Sequence, residues 1–358
     1  MTIIFFITFA LHEEFIKSMK QRRITIKDIA KALNISPSTV SRALKNHPDI
    51  SEETKQQVQA LASSVNYRPN AIALGLRKSK TNTIGIIVPE IVHHFFSSVI
   101  SGIDDMAHAA GYNTMICQTN ESMEREQKSL QTMLDNRIDG LLISISKGTT
   151  SFEHLHSLMN TEIPVVFFDR VCDEIPSHRV ITDDFEGARI ATKHLIDIGC
   201  RRIVHLTGAP SLVISKQRLD GYKTALMEAG IAVDESLIIE ADSDFLFNRA
   251  EDKLITIAPE IDGVFAINDS TAIAAMKLFQ KNGYSIPDDI AVIGFGDGPV
   301  NEVVSPTLSS VVQSGYEIGC EAMNMLIKQI DTDIITLDYE TRVFTPTLKV
   351  RESTKRLK

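Results

Sequence analysis

Between Ser36 and Arg42 the chain reads Ser-Pro-Ser-Thr-Val-Ser-Arg, placing four hydroxyls and one guanidinium within seven residues. The chemistry on offer is hydrogen bonding. A guanidinium pairs bidentately with O6 and N7 of guanine, and hydroxyls donate to phosphate oxygens. Pro37, Ser38 and Arg42 are the set expected to meet base edges, and Ser36, Thr39 and Ser41 the set expected on phosphates. The plainer alternatives are solvated serines and a weak surface ion pair for Arg42. A second group is scattered along the rest of the chain: Phe95, Phe96, Ser144, Asp169, Arg170, Arg218, Asn268, Asp269 and Asp297. Aromatic faces that stack a ring, together with Asp, Asn and Arg for hydroxyls, suit a sugar-like ligand. Here too a local reading competes, with Phe95 and Phe96 as ordinary core and Asp169 and Asp269 as caps of the next helix.

The first set needs a helix to carry it, and the sequence supplies one. Thr25 with Asp28 three residues on is a helix-start signature, and Ile26, Ile29, Ala30 and Leu33 recur at the 3.6-residue period of one buried face. That helix should end near Asn34. Ser36 can cap a second helix, Pro37 suits its first turn, and Val40, Ala43 and Leu44 would point inward. A third helix is expected from Ser51, with Glu52 and Glu53 in its first turn and Val58, Leu61, Ala62 and Val65 on its apolar face. Two short helices joined by a tight turn and braced by a third make a helix-turn-helix unit, whose second helix lies in the major groove.

Charge separates this end from the remainder. Met19 to Lys80 carries 12 Lys+Arg against 4 Asp+Glu, whereas residues 81–358 carry 24 against 40. One basic, compact end on an acidic chain is the electrostatic footprint of a phosphate-binding head. After it comes Asn66-Tyr-Arg-Pro-Asn-Ala-Ile-Ala-Leu-Gly-Leu76, a segment with a helix-opening proline but too short to stay helical alone in water. It is expected to be a conditional helix. Leu76, with Ala73, is expected to act as an apolar wedge in the minor groove, since such wedges unstack a base step and kink the duplex.

Beyond the head, apolar β-rich runs at Ile84–Val88, Asn113–Cys117, Gly140–Ile145, Val165–Phe168, Ile203–Leu206, Val264–Ile267 and Ala291–Phe295 alternate with helical patterns. That alternation predicts a parallel, doubly wound α/β body. Gly102-Ile-Asp-Asp-Met-Ala-His-Ala-Ala-Gly111 is echoed by Gly221-Tyr-Lys-Thr-Ala-Leu-Met-Glu-Ala-Gly230, which points to two similar lobes. Ligands in such folds bind at the carboxyl ends of strands, here in a cleft between the lobes. The second group of residues follows those strand ends, with Arg218 read as opening a helix of the second lobe.

Head, hinge and nearly all of the remaining chain resemble the LacI/GalR family of bacterial transcription regulators. The resemblance is carried by Val40-Ser41-Arg42, Asn66-Tyr67-Arg68-Pro69-Asn70 and Leu76. It implies an N-terminal all-α helix-turn-helix head plus hinge helix, joined to a two-lobed, type I periplasmic-binding-protein-like α/β body. It further implies a homodimer on near-palindromic double-stranded DNA, with both Leu76 side chains inserted at a central step. Crossovers are expected near residues 180, 313 and 342, giving lobe 1 as about 81–180 and 313–342 and lobe 2 as about 181–312 and 343–358. The head spans 19–68 and the hinge 69–80. Positions matching Phe96, Asp169, Arg218 and Asn268 touch the small-molecule effector in the family. Two departures leave the effector class open: glycine at 296 where the family usually has an acidic group, with Asp297 able to substitute only on a shifted backbone, and His93-His94 in place of Asn-Pro.

Other classes find little support. No phosphate loop is present, and Gly294-Phe-Gly296-Asp-Gly298 does not complete a dinucleotide fingerprint. The ten histidines lack metal spacing, and the four scattered cysteines read as free thiols of a reducing compartment, so no cofactor and no enzymatic activity are expected. Ile3–Leu11 is nine apolar residues, far short of the roughly 20 of a membrane helix. A cytoplasmic, dimeric, ligand-responsive repressor is therefore expected, with residues 1–18 as an extension ahead of a natural start at Met19. No heptad pattern follows Arg351-Glu-Ser-Thr354, so no coiled-coil segment is expected there. The alternative is a small-molecule binding protein whose head does not read DNA, and steep salt dependence of DNA affinity separates the two.

Overall fold

A computed structural model of the chain describes residues 24–65, 67, 80–331 and 338–356. The chain divides into two units, residues 1–81 and 82–358. The hinge expectation, with Ala73 and Leu76, and the expectation for residues 1–18 lie outside the described residues.

In the first unit α1 (Ile26–Ala32), α2 (Pro37–Leu44) and α3 (Glu52–Ser64) follow one another. Each start is fixed by a side chain. The Asp28 carboxylate accepts from the Thr25 N–H at 2.9 Å and its hydroxyl at 2.7 Å. Ser36 Oγ accepts from the Thr39 N–H at 3.0 Å, and Ser51 Oγ from the Thr54 N–H at 3.3 Å. The first two ends are alike. Asn34 (φ 51°) and Asn46 (φ 54°) take the left-handed conformation that asparagine tolerates, so Ile35 N–H reaches Ala30 O and His47 N–H reaches Arg42 O, each at 3.0 Å. That turn lets α2 fold back on α1. Ile29, Ala30, Val40, Ala43, Val58, Leu61, Ala62 and Val65 form the shared core, as the periodicity requires.

Among the described residues the second unit holds two six-stranded sheets. Lobe 1 comprises β1 (Thr83–Val88), α4 (His94–Ala109), β2 (Asn113–Gln118), α5 (Met123–Asp135), β3 (Gly140–Ile143), α6 (Glu153–His156), β4 (Val165–Phe168) and β5 (His178–Thr182). Lobe 2 comprises α7 (Asp184–Asp197), β6 (Ile203–Thr207), α8 (Val213–Glu228), β7 (Ile238–Glu240), α9 (Asp244–Ile257), β8 (Gly263–Ala266), α10 (Asp269–Lys281), β9 (Ala291–Gly296) and β10 (Ser309–Val312). The chain then returns to lobe 1 for α11 (Gly315–Asp331) and β11 (Thr341–Phe344), and to lobe 2 for β12 (Thr347–Lys349). Strand orders are β11-β5-β4-β3-β1-β2 and β12-β10-β9-β8-β6-β7, all pairings parallel except the antiparallel β10–β12 edge. The lobes cross after Thr182, Val312 and Phe344. The first and third crossings fall two residues past the expected 180 and 342, because β5 and β11 pair with each other through Thr182 and Phe344.

The echoed glycines have matching roles. A Cβ on Gly102 would lie 2.1 Å from Tyr316 O, and one on Gly221 2.2 Å from Phe185 O, so each lets a helix approach a neighbouring backbone, α4 on α11 and α8 on α7. Gly111 (φ +79°) and Gly230 (φ +69°) then end α4 and α8 with left-handed turns. Around these pairs lie apolar cores, Ile84, Ile86, Leu142 and Val166 on one sheet and Ile203, Phe265, Ile293 and Val311 on the other. Among the described residues no helix is long and apolar enough to cross a membrane.

Candidate functional site

On the head, Ser36, Pro37, Ser38 and Arg42 are exposed, and Thr39 and Ser41 partly so. Ser38 and Arg42 are four apart and share a face of α2. The hydroxyls already form a chain at the helix start: Ser36 Oγ lies 2.6 Å from Ser38 Oγ and 2.8 Å from Thr39 Oγ1. Ser36 and Thr39 are thus held in place by the cap itself, whereas Arg42 extends from a helix whose inner face, Val40 and Ala43, is buried. Lys55 differs from the other described Lys and Arg residues of the head, which are exposed. It is buried and pairs with Glu52 at 2.6 Å, a structural use.

In the second unit the carboxyl ends of the strands surround a cleft of about 1070 Å³. Seven of the nine residues expected there line it: Phe95, Phe96, Asp169, Arg170, Arg218, Asn268 and Asp269. Phe95 and Phe96, in the first turn of α4, meet edge to face with centroids 5.3 Å apart. Phe96 also belongs to the lobe 1 core, so the core and wall readings both hold for it. The Arg170 guanidinium lies 5.6 Å from the Phe96 ring centroid, and its Nη1 donates to both oxygens of Glu121, at 2.9 and 2.8 Å. Asp169 (φ 58°) directly follows β4 and is buried. Burial raises its carboxyl, against the pull of Arg170 and Arg218.

Arg218 stands on the second turn of α8 and does not open that helix, because the chain turns helical at Val213, directly after Pro210-Ser211-Leu212. It is 4% exposed. Its Nε and Nη2 reach Asp184 Oδ1 at 2.7 and 2.6 Å, its Nη1 donates to Ile267 O, and its Cζ lies 3.6 Å above the Phe295 ring centroid. Burial pushes Asp184 up to about 6, with Arg218 as the opposing influence. Asn268, not Asp269, caps α10, with Oδ1 accepting from the Thr271 N–H at 2.8 Å. Asp269 instead ties β10 to the loop after β9, accepting from Ser310 Oγ at 2.5 Å and the Gly298 N–H at 2.9 Å.

Two expected residues do not face the cleft. Ser144 is fully buried, because the chain past β3 stays paired with the end of β4 (Ile145 N–H to Arg170 O, 3.2 Å), and Lys147 is the residue that reaches the wall. Asp297 is turned away by the positive φ of Gly296 (130°) and its own (56°), and pairs with Arg351 at 2.7 Å. Gly296 and Gly298 line the cleft in its place. Lining residues that the sequence reading passed over include Glu121, Lys147, Asp242, Phe295 and Gln313. Asp242 and Gln313 closely follow β7 and β10, so the strand-end rule would have found them had those strands been read.

The same architecture recurs in known proteins. Residues 25–70 match the bacterial regulatory proteins of the lacI family, and residues 81–352 match the periplasmic binding proteins and sugar binding domain of the LacI family. The ribose operon repressor of Halalkalibacterium halodurans is 34% identical over 337 residues, 92% of this chain and 97% of that protein. The transcriptional repressor PurR of Vibrio campbellii is 31% identical, covering 93% of this chain and 99% of its own. The solved complex of the transcriptional regulator CelR with cellobiose superposes with a TM-score of 0.69 at 26% identity, over 92% of this chain and 100% of that one. With a helix-turn-helix head and a two-lobed cleft in one chain, each matched to the same family over its own residues, this protein belongs to the LacI family of bacterial regulatory proteins.

Proposed function

We propose that the protein is a cytoplasmic transcriptional repressor, not an enzyme, that binds a near-palindromic operator as a homodimer and whose operator affinity is set by a carbohydrate bound between the lobes. The observation that carries the effector part is the cleft wall. Phe95 and Phe96 offer ring faces, while Asp169, Asn268 and Gln313 offer acceptors and donors at hydroxyl-binding positions. The volume, about 1070 Å³, leaves room for more than one sugar ring. On the head, Pro37, Ser38 and Arg42 are exposed at the outer face of α2, the position from which bases would be read.

Control follows from linkage. A carbohydrate that binds one arrangement of the lobes better than another shifts the equilibrium between them, and operator affinity changes by the same coupling, typically about 5- to 150-fold. The test is a panel of neutral sugars, including D-ribose and cellobiose, scored by thermal stabilisation of the protein and then by operator affinity. The expected result is one sugar that does both. Stabilisation by a nitrogenous base and by no sugar would overturn the carbohydrate reading.

A further inference from the structure

Past β3 the loop of residues 144–152 is held from two sides. Lobe 1 fixes its backbone with buried carboxylates: Glu126 accepts from the Ser146 N–H at 2.6 Å and from Thr149 Oγ1 at 2.9 Å, while His154 Nε2 lies 2.8 Å from the same carboxylate. Glu121 accepts from the Lys147 N–H at 2.7 Å. Lobe 2 takes the other groups of Lys147. Ser211 Oγ donates to its carbonyl at 3.1 Å, and its Nζ lies 3.7 Å from Asp242 Oδ2, the oxygen that also accepts from the Ala209 N–H at 3.2 Å. The two charges are 26% and 10% exposed, so their attraction is only partly screened. One residue is thus held at its N–H by one lobe and at its carbonyl and ammonium by the other.

The lobe 1 anchor is also part of the cleft wall. Glu121 is the partner of Arg170, whose guanidinium lies over Phe96. A contiguous set of polar contacts therefore runs from the stacking face, through Glu121, to the backbone of Lys147 and across to Ser211 and Asp242 in lobe 2.

We propose that Lys147 is a clasp between the lobes, with Glu121 as its positioning residue, tying lobe closure to occupancy of the Arg170–Phe96 wall. The consequence for the effector response rests on the cleft reading above, whereas the clasp itself is tested in the ligand-free protein. Contacts confined to one lobe would steady only that lobe. A clasp makes each side protect the other, because opening must break both.

The experiment is amide hydrogen exchange by mass spectrometry on the full chain without ligand, comparing Lys147→Met, Asp242→Asn and the double variant. Lys147→Met, in lobe 1, is expected to speed exchange of the peptide around Ala209 in lobe 2 about three- to tenfold. Asp242→Asn, in lobe 2, should do the same to the peptide around Lys147 in lobe 1. The double variant should exceed neither single by more than about twofold, since the second change has no partner left to lose. Glu121→Gln should loosen both peptides while the core strand Gly263–Ala266 keeps its protection. Faster exchange only in the lobe that carries the substitution, or fully additive effects, would overturn the clasp. Neither outcome bears on which ligand the cleft takes.

Discussion

Asp184→Ala is expected to destabilise the body more than Arg218→Met does, although the two residues are partners. Both are almost fully buried, 1% and 4% exposed, and the guanidinium makes its contacts at 2.7 and 2.6 Å to one carboxylate oxygen. Removing the carboxylate leaves a buried cation that cannot shed its proton, and breaking a buried pair in this way costs about 3–5 kcal/mol. Removing the guanidinium leaves a carboxyl with an escape. Burial already pushes Asp184 up to about 6 with Arg218 present, so without Arg218 it moves higher still and takes up a proton near neutral pH. The cost should then be about 1–3 kcal/mol, chiefly lost packing on Phe295 and the orphaned Ile267 carbonyl. A pH signature accompanies it. A carboxyl raised in the fold contributes stability that is full below its ordinary value near 4 and lost as pH rises through its folded value, so Arg218→Met should lose stability from pH 6 to 8, where the native protein has already spent this contribution. Urea unfolding followed by circular dichroism across that range is the assay. An Asp184→Ala variant within about 0.5 kcal/mol of the native protein, or an Arg218→Met variant costlier than Asp184→Ala, would refute the reasoning.

Further expectations concern other parts of the chain. His205 is stacked between Tyr222 and Phe265 (5.1 and 4.8 Å), and burial pushes it down to about 4, so its stability contribution is present above pH 6.5 and lost as pH falls toward 4. Asp184 acts with opposite sign over nearly the same window, so His205→Phe should uncover a loss of about 3 kcal/mol from pH 4 to 6 that the native protein hides, and an unchanged pH profile in urea unfolding would contradict this. Gly102→Ala should cost more than Gly111→Ala, the first forcing a Cβ to 2.1 Å from Tyr316 O and the second meeting no neighbour and straining only φ; equal melting temperatures would remove the close α4–α11 approach from the argument. Arg42→Ala should weaken specific DNA binding by about 1–3 kcal/mol and relax preference at one base pair per half-site with helicity unchanged, whereas an unaltered binding profile would exclude Arg42 from readout.

The head was almost fully legible because its signals are local. Thr25/Asp28, Ser36 and Ser51 mark helix starts within three residues, and Ile29, Val40 and Val58 fall on faces that the period alone selects. Strands buried on both faces, such as Ile84–Val88 and Val264–Ala266, were equally plain as apolar runs. The strands passed over, β5, β7, β10, β11 and β12, are three to five residues long and, apart from the Ile-Ile-Glu of β7, carry Thr, Ser or Arg among their few residues, and the β5–β11 pairing joins residues far apart in sequence. No window contains the reason they are strands. The same limit governs the cleft. Residues directly after visible strands, Asp169 and Asn268, could be placed, but their partners could not: Asp184 lies 34 positions from Arg218 and Glu121 lies 49 from Arg170. Ser144 and Asp297 failed for a different reason, since each follows a correctly read strand and was displaced by how the loop continues, through extended pairing in one case and two positive φ angles in the other.

The most direct test of the regulator reading is selection of bound duplexes from a random DNA pool by the full chain at one fixed physiological salt concentration, with and without the sugar that stabilises it. An enriched near-palindrome with a flexible pyrimidine–purine centre, whose enrichment changes when the sugar is present, is the predicted result. A protein that retains no sequence above background in either condition would contradict DNA reading by α2 and leave a ligand-binding body whose head serves another purpose.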